Sequence, residues 1–402
     1  HLRSDLHLKG TVGNIDFINS LLPKAVRSMV SIPHGIGLDG TVHVRKTLYT
    51  GRMRLTQGGG RIWMDGACNT ATGLYRLTAD ASAFPLQHFL PHMGLSPFSG
   101  FVRTQGHGTD FMNPRSSVNL SLRIQRFKYG KYVLDGLNGD VSKHGEQLSA
   151  HIKSTNRMLG GDFSYRGRMN AKSVNGHVRG WLRRVDLYAL GMMKERYVVS
   201  TWADVDVRSD MAANHHVMGS LRSFRFLQEG RKKSRLLAAG NFDVRADVRP
   251  AGLDAHVKGK LATADLQALG LIGKHYVTSA DADLSLRSDM KHYYAVNGYV
   301  GKVMLNELRK GGYVPLAEGS FHVDAAMRGG KIDGAVKGVF PRIDLYQLGV
   351  VDRPLSSSFA VNASFAMSGK DDLRVRGLIG DLHVSDQHHT YVPGDVNVDL
   401  MS

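Results

Sequence analysis

The sequence is poor in cysteine, with Cys68 as its single thiol in 402 residues. A lone cysteine excludes a disulfide framework within the chain, so burial of apolar side chains and pairing of strands must hold the fold together. Cys68 lies among small residues, between Gly66 and Thr70, and a thiol in that setting is more often a packed side chain than a nucleophile. We therefore expect Cys68 to be packed.

Long apolar runs are also missing. No stretch approaches the ~18 consecutive apolar residues of a membrane-spanning helix, and no signal peptide precedes His1. The chain starts without Met inside a strand-like pattern, Leu2 to Gly10, and stops equally abruptly in the strand pattern Val396 to Leu400. These features predict a fragment of a longer chain whose targeting and anchoring elements lie outside it.

Motifs that carry chemistry are absent as well: there is no H-E-x-x-H, G-x-S-x-G, C-x-x-C or P-loop pattern. The pairs His215-His216 and His388-His389 are strand neighbours, whose side chains point to opposite faces and cannot grip one ion together. Pro91 intervenes between His88 and His92, which makes a shared helical face doubtful. We expect no enzyme activity, no metal site and no cofactor.

Acidic residues are fewer than basic ones. The sequence has 35 Asp and Glu and 52 Lys and Arg, which gives a net charge of +17. The charges are dispersed as the polar half of strands, and the densest cluster, Arg231 to Lys233, lies in a predicted turn. Without a helical basic stripe this distribution disfavours nucleic acid as a partner and favours contact with an anionic lipid surface.

What the sequence does contain is a repeat. Asp186, Asp265 and Asp344 are spaced 79 residues apart. Each follows a Gly, at positions 180, 259 and 338, and precedes a Leu, at positions 187, 266 and 345. The same interval links Arg208-Ser-Asp210 to Arg287-Ser-Asp289. A fixed period of this kind predicts a stacked repeat protein, with regular units of about 79 residues from 170 to 402 and divergent units from 1 to 169, in one continuous body.

The repeat unit is made of period-2 segments, which predict antiparallel strands with one apolar face and one polar face. The parity of the apolar positions slips between Leu221 and Phe224 and again between Val300 and Val303, which predicts a β-bulge in each copy. The candidate lining residues of the apolar face are Val178, Val205, Val207, Phe242, Val244, Val248, Val257, Leu284, Leu286, Phe321, Val323, Val336, Val361 and Phe365.

Each repeated Asp begins a Leu-x-x-Leu segment, which predicts one short helical turn capped by the Asp and packed at a corner of the sheet. Pro85 takes the place of the Asp in Phe84 to Pro91, and Asp16 takes it in the divergent copy near the N-terminus. After Asp16, the spacing of Ile18, Leu21, Leu22, Val26 and Met29 predicts an amphipathic helix that caps or plugs the apolar face.

A sheet with one apolar face needs a cover, which can be a second sheet, its own curvature or something other than protein. Helices and long loops that could supply it are scarce. On the order of 20 strands at ~4.8 Å each predict an apolar trough roughly 100 Å long, the shape of a conduit for acyl chains. Two alternatives remain open: a structural or adhesive β-solenoid whose apolar rows form a dry core, and an assembly factor that lends a strand edge to outer-membrane proteins.

The segments Val185 to Gly191, Ala264 to Gly270 and Ile343 to Gly349, together with Phe84 to Pro91 and the alternating strands, resemble the TamB family of the AsmA-like superfamily, which are bridge-like lipid transfer proteins. The resemblance implies an all-β, elongated β-taco fold with short helical turns at the repeat corners. It implies a periplasmic position, with an inner-membrane anchor in the longer chain, and phospholipid transport along a hydrophobic groove. It also implies an outer-membrane TamA- or BamA-like barrel as partner in a translocation and assembly module.

Overall fold

The chain folds almost entirely into antiparallel β-strands, as the computed structural model shows for residues 3–13, 31, 33–108, 110–230, 233–368, 372–386 and 388–401. The all-β prediction is therefore confirmed. Asp16 and the predicted amphipathic segment from Ile18 to Met29 lie outside the described residues, as do Arg231 and Lys232 of the basic cluster. The chain divides into two units, His1–Lys194 and Glu195–Ser402.

The first unit is an antiparallel meander in which each strand pairs with the next along the chain, interrupted only by a small two-stranded hairpin, β8–β9, that is bypassed when β7 pairs with β10. Its strands are β1 (Arg3–Val12), β2 (Ile36–Arg45), β3 (Leu48–Gln57), β4 (Gly60–Asn69), β5 (Leu74–Phe84), β6 (Phe98–His107), β7 (Ser117–Arg126), β8 (Lys128–Tyr129), β9 (Tyr132–Val133), β10 (Leu137–His144), β11 (Gln147–Thr155), β12 (Leu159–Met169) and β13 (Val174–Asp186).

The second unit is a meander of longer strands, again with each strand hydrogen-bonded to the next. Its strands are β14 (Tyr197–Ser209), β15 (His215–Glu229), β16 (Ser234–Arg249), β17 (Gly252–Asp265), β18 (Tyr276–Ser288), β19 (Tyr293–Arg309), β20 (Gly312–Arg328), β21 (Lys331–Asp344), β22 (Ser356–Met367), β23 (Leu373–Ser385) and β24 (Thr390–Met401). Among the described residues, β14 and β24 do not pair with each other, so the sheet of this unit is open.

Helical structure in the described residues is confined to the corner after β5. A four-residue helix, α1 (Leu86–Phe89), and a 3-10 turn, Pro91–Met93, follow Pro85, which occupies the N-cap position. The rings of Phe84 and Phe89 stack at a centroid distance of 5.1 Å. The single helical turn predicted after Pro85 is therefore present.

The predicted β-bulges are confirmed at both positions. The pairing register of β15 with β16 shifts between Leu221 and Phe224, and that of β19 with β20 shifts between Val300 and Val303. The bulged residues Ser223 and Lys302 take the left-handed conformation, with φ of 51° and 49°. A third copy follows after another 79 residues at Asp381, with φ of 52°.

Each bulge leaves a backbone N–H without a ladder partner, and a side chain on the neighbouring strand accepts its hydrogen bond. The Ser223 amide donates to Asn241 Oδ1 at 2.7 Å, and the Lys302 amide donates to Ser320 Oγ at 3.3 Å. Asn241 and Ser320 are themselves one repeat apart. The slip in the sequence pattern thus has a compensating acceptor in the next strand, because an unpaired peptide group is costly.

The tight turns at the opposite ends of the strands explain the Asp of the repeated Arg-Ser-Asp. Oδ1 of Asp210 accepts hydrogen bonds from the amides of Ala212, Ala213 and Asn214, each at 2.9 Å. Oδ1 of Asp289 likewise accepts hydrogen bonds from the amides of Lys291, His292 and Tyr293, each at 2.8 Å. These amide donors lower the pKa of both carboxyl groups, since they stabilise the ionised form.

Replacing the acceptor at a bulge tests this account. Asn241→Ala removes the partner of the Ser223 amide, and we expect the free energy of unfolding to fall by about 1 kcal/mol. Asn362→Ala, at an exposed asparagine on β22, is the matched control and is expected to change it by less than ~0.5 kcal/mol. Urea denaturation followed by tryptophan fluorescence measures both; equal losses would show that Asn241 has no special role.

Candidate binding face

Three unbroken rows of residues, which we call the apolar rows, cross the second unit on one face of its sheet. The register pairs each member of a row with the next strand's member, without a gap from β14 to β24. The central row consists of Val205, Gly219, Val244, Val257, Leu284, Gly298, Val323, Val336, Ala363, Gly377 and Val398.

The two flanking rows are equally apolar and are built in the same way. One consists of Ala203, Leu221, Phe242, Gly259, Ala282, Val300, Phe321, Gly338, Val361, Ile379 and Val396. The other consists of Val207, Val217, Ala246, Ala255, Leu286, Val296, Ala325, Gly334, Phe365, Val375 and Leu400. A period-2 strand places all of these side chains on one side of the sheet.

The structure brings the predicted lining residues of the second unit together on this face. Twelve of the fourteen, all but Val178 and Val248, belong to the three apolar rows; Val248 lies one row further out, paired with His215 and Leu253. Val178 lies in the first unit, opposite Tyr165. Their role as lipid contacts stays a prediction.

The apolar rows are partly accessible. Val205 is buried at 8% and Leu286 is exposed at 37%, and the other predicted lining residues are half-buried. The whole chain has an accessible surface of 25145 Å², whereas a compact protein of this mass would expose about 15,500 Å² and two compact halves together about 18,700 Å². A closed, dry core would bury these rows more deeply.

The first unit carries an equivalent face that the sequence pattern did not reveal, apart from Val178. Its central row consists of Leu8, Gly40, Met53, Met64, Ala79, Val102, Leu122, Gly139, Ile152, Phe163 and Gly180. The period-2 signal for these strands is present in the sequence, for example at Met53 and Leu55. Without the 79-residue register to align them, however, their positions could not be matched from strand to strand.

Glycines and alanines are interspersed among the large side chains of the rows. Phe321 lies beside Gly338, where a Cβ would approach the phenylalanine Cβ to 2.5 Å, and Phe365 lies beside Gly334, where a Cβ would lie 2.7 Å from the ring. Position 298 requires glycine for a second reason, since its φ is +153° and a Cβ would lie 2.1 Å from the Asp283 carbonyl oxygen. The glycines therefore leave hollows in the apolar face, and the phenylalanine rings lie across the neighbouring strand in that space.

The repeated Asp forms the predicted cap at the corners after β13, β17 and β21, where the chain makes a single hydrogen-bonded turn that does not extend into a helix. Oδ1 of Asp186, Asp265 and Asp344 accepts the amide hydrogen of the residue three positions later, each at 2.9 Å. The turn then closes on Gly191, Gly270 and Gly349, with φ near +75°. In all three copies the amide of this Gly and the amide of the next residue donate hydrogen bonds to carbonyl oxygens of the preceding turn, which is a Schellman motif.

The leucines of these corners are less uniform than predicted. The leucines at 187, 190, 266, 345 and 348 are half-buried. Leu269, however, is 37% exposed, which corrects the expectation that all six are tucked against the sheet. Cys68 is likewise exposed and not packed. It lies near the end of β4, where Tyr49 and Tyr75 are its cross-strand neighbours and no second layer in the described chain covers the strand end.

One cation lies on the apolar side of the first unit. Lys143 is paired with Val118 and Leu148 and is fully buried. Its Nζ donates to the Asn113 carbonyl oxygen at 3.0 Å and to Ser116 Oγ at 2.8 Å. These bonds tie the β6–β7 loop over the lysine and compensate its removal from water. The alternation in β10 did not identify this residue, because lysine is a residue type expected on the outward, polar face.

The opposite face is polar and holds shallow depressions. One of about 500 Å³ lies among Asp324, Asp333, Ser364 and Arg374, and one of about 370 Å³ lies among Ser121, Ser142, His151 and Arg166. A twisted sheet is saddle-shaped and therefore concave along one diagonal on either face. Both depressions are open to solvent and are lined in part by charged side chains.

Within the described part of the chain, no group of three or more His, Cys, Asp or Glu side chains could hold a metal ion. His215 and His216 point to opposite faces, since the first bonds Ser209 and the second bonds Asp247. No helix in the described residues is long and apolar enough to cross a membrane. No protein family, curated protein or solved structure matches this chain.

The corner at Asp265 predicts a dependence of stability on pH. Burial raises the pKa of Asp265, but hydrogen bonds from the Ala268 amide, Arg235 and His275 outweigh it, so the pKa is lowered. The side chain is only 13% exposed, and Arg235 and His275 lie 2.9 and 3.0 Å from Oδ2. A depressed carboxyl pKa stabilises the fold above the unfolded value of about 3.9, and this contribution is lost as the pH falls through the folded value.

We therefore expect Asp265→Asn to be less stable than the parent near pH 6, and the difference to shrink as the pH is lowered from about 4 toward 2. Chemical denaturation across this range measures it. Asp333→Asn, at an exposed carboxylate outside the corner, controls for the change in net charge. A difference that stays constant or grows in acid would contradict the assignment of the ion pairs to Asp265.

Proposed function

We propose that this chain conducts phospholipids by holding their acyl chains on the apolar rows, as a segment of a periplasmic bridge between the inner and outer membranes. The observation that carries the proposal is the combination of continuity and access. The central row of the second unit runs through eleven consecutive strands without a polar residue, and its members are not sealed in a core.

The energetics of such a surface favour sliding over capture. Burial of a methylene is favourable by ~0.8 kcal/mol, so a 16-carbon chain could gain up to about 13 kcal/mol, an upper bound because an empty groove also sheds water when it collapses on itself. Successive strands present similar side chains at a spacing of ~4.8 Å. Neighbouring positions are therefore similar in energy, and an acyl chain meets no deep trap as it moves from strand to strand.

The cellular setting follows from the resemblance of the corner motifs to the TamB family and belongs to the same proposal. The longer chain would be anchored in the inner membrane, and a TamA- or BamA-like barrel in the outer membrane would be its partner in a translocation and assembly module. A non-enzymatic protein fits this role, since transport along a face needs no reacting side chain.

A structural or adhesive β-solenoid is the alternative that the experiments must separate from lipid conduction. In that protein the rows would serve only as packing surface. The partial exposure of the row residues favours conduction, because a packing surface would be covered by the chain itself. Organic extraction of gently purified protein followed by mass spectrometry distinguishes them: stoichiometric phospholipid supports conduction, and its absence supports the solenoid.

Photocrosslinking locates the acyl chain on one face. We expect a photoreactive phenylalanine at Val244, Leu284 or Val323 to crosslink phospholipid, because these positions lie on the central row. The adjacent positions Asp243 and Ser285 point to the polar face and are the controls. Lipid adducts are detected by mass spectrometry, and equal yields on both faces would refute a path along the apolar rows.

A charge placed on the path provides the kinetic test. Leu284→Asp is expected to slow phospholipid transfer between vesicles by at least about 10-fold, since an Asp in hydrocarbon costs up to ~3 kcal/mol. Ser285→Asp adds the same charge one residue away, on the polar face, and is expected to leave the rate unchanged. Circular dichroism is the control, and both variants are expected to keep the strand content of the parent. Normal transfer by Leu284→Asp would exclude the rows as the route.

A further inference from the structure

The net positive charge of the chain is concentrated in one unit. Residues 1–194 contain 26 Lys and Arg against 11 Asp and Glu, a net charge of +15, whereas residues 195–402 contain 26 against 24, a net charge of +2. Nearly all of the +17 therefore belongs to the first unit. The charges of the second unit are close to balanced, so the two units present different electrostatic surfaces to a partner.

In the second unit, arginines of the polar face are neutralised by carboxylates on neighbouring strands. Arg222 lies 2.6 Å from Asp243, and Arg287 lies 3.2 Å from Asp254. Arg376 is likewise 3.2 Å from an Asp on β24. These cross-strand pairs leave little net field on that face.

In the first unit, three arginines on adjacent strands form a line that we call the basic stripe: Arg76, Arg103 and Arg123. Arg103 is opposite Thr78, two residues from Arg76, and Arg123 is opposite Phe101, two residues from Arg103. Each arginine is therefore the diagonal neighbour of the next, at ~7–8 Å between the backbones. All three are exposed.

No carboxylate within the described residues pairs with the basic stripe. Arg103 instead lies over the ring of Phe101, with its guanidinium carbon 5.6 Å from the centroid. Asp65, Asp80 and Asp140 are the diagonal neighbours of the three arginines on this face, but Asp65 pairs with Arg52 and Asp140 accepts a hydrogen bond from Ser121. The three guanidinium groups are exposed and in no ion pair within the described chain, so an external anion supplies a partner that the sheet does not.

An exposed tryptophan accompanies the basic stripe. Trp63, on β4, is opposite Asp80 and 53% exposed, and the guanidinium of Arg54 lies 5.1 Å from its ring centroid. A large ring left in water on a polar face is unusual, and tryptophan is enriched where proteins meet the interface of a bilayer. Arginine and tryptophan together match the phosphates and the apolar boundary of a lipid surface.

We infer that the polar face of the first unit docks on an anionic phospholipid surface through the basic stripe and Trp63. A surface fits better than a polymer, because the unpaired charges spread over several strands and do not follow a groove. Each basic residue near an anionic bilayer contributes a several-fold gain in binding, which salt screens. This docking goes beyond the proposed acyl path and uses the polar face of the first unit.

Vesicle cosedimentation of the 402-residue chain tests the inference. We expect binding to vesicles of phosphatidylcholine with about 30% phosphatidylglycerol at low salt, little binding to pure phosphatidylcholine, and loss of binding as salt rises. Replacing all three stripe arginines by Gln is expected to weaken binding on the order of 100-fold, and each single replacement about 5-fold. The matched triple Arg222, Arg287 and Arg376 to Gln removes the same charge from the second unit and is expected to cost less than about 3-fold.

Equal losses in the two triples would overturn the basic stripe in favour of diffuse charge. Equal binding to charged and neutral vesicles would overturn the electrostatic docking, and tighter, stripe-dependent binding of single-stranded DNA would assign the face to nucleic acid. Trp63→Phe should remove part of the fluorescence blue shift on vesicles if that ring enters the interface. The triple Arg76, Arg103 and Arg123 to Gln variant should still copurify with phospholipid, so failure of docking and failure of acyl conduction are separate results.

Discussion

The register of the backbone hydrogen bonds is the constraint on which this protein depends. A slip of one residue between two strands would exchange the apolar and polar faces from that point onward. Each repeat nevertheless contains several register shifts, and at two of them, Ser223 and Lys302, the next strand supplies the side chain that accepts the freed amide. The bulges therefore come with built-in acceptors, and the central row crosses eleven strands in phase.

The pattern of apolar residues was sufficient to predict the strands, the apolar face and the bulges, because each follows from local alternation. The caps at Asp186, Asp265 and Asp344 could be predicted for a similar reason, since a capping carboxylate acts within three residues. Features that depend on what covers a residue were not accessible. Cys68 is exposed and Lys143 is buried, each against the expectation from its residue type, because the sheet covers Lys143 with a loop and leaves Cys68 uncovered.

The same limit applies to function. Alternation identifies which side chains share a face, but it does not reveal whether that face is dry, wet or occupied. Partial exposure of the rows favours an accessible face over a dry core. The exposed fractions of residues such as Val205 and Leu286 come from the structure and cannot be read from the sequence. The charge imbalance between the units can be counted from the sequence. Only the strand register shows that Arg76, Arg103 and Arg123 are neighbours and that none of them is in an ion pair with another described residue.

The interval of 79 residues contains four strands, from the corner at Asp186 to the corner at Asp265 and again to Asp344. Because four is even, every corner returns to the same side of the sheet with the chain running in the same direction. Duplication or loss of one interval would therefore change the span of the sheet by about 19 Å while keeping both faces in phase. Gain or loss of a single strand would reverse the direction of everything that follows, so such a sheet keeps its corners on one side only when it grows or shrinks by an even number of strands.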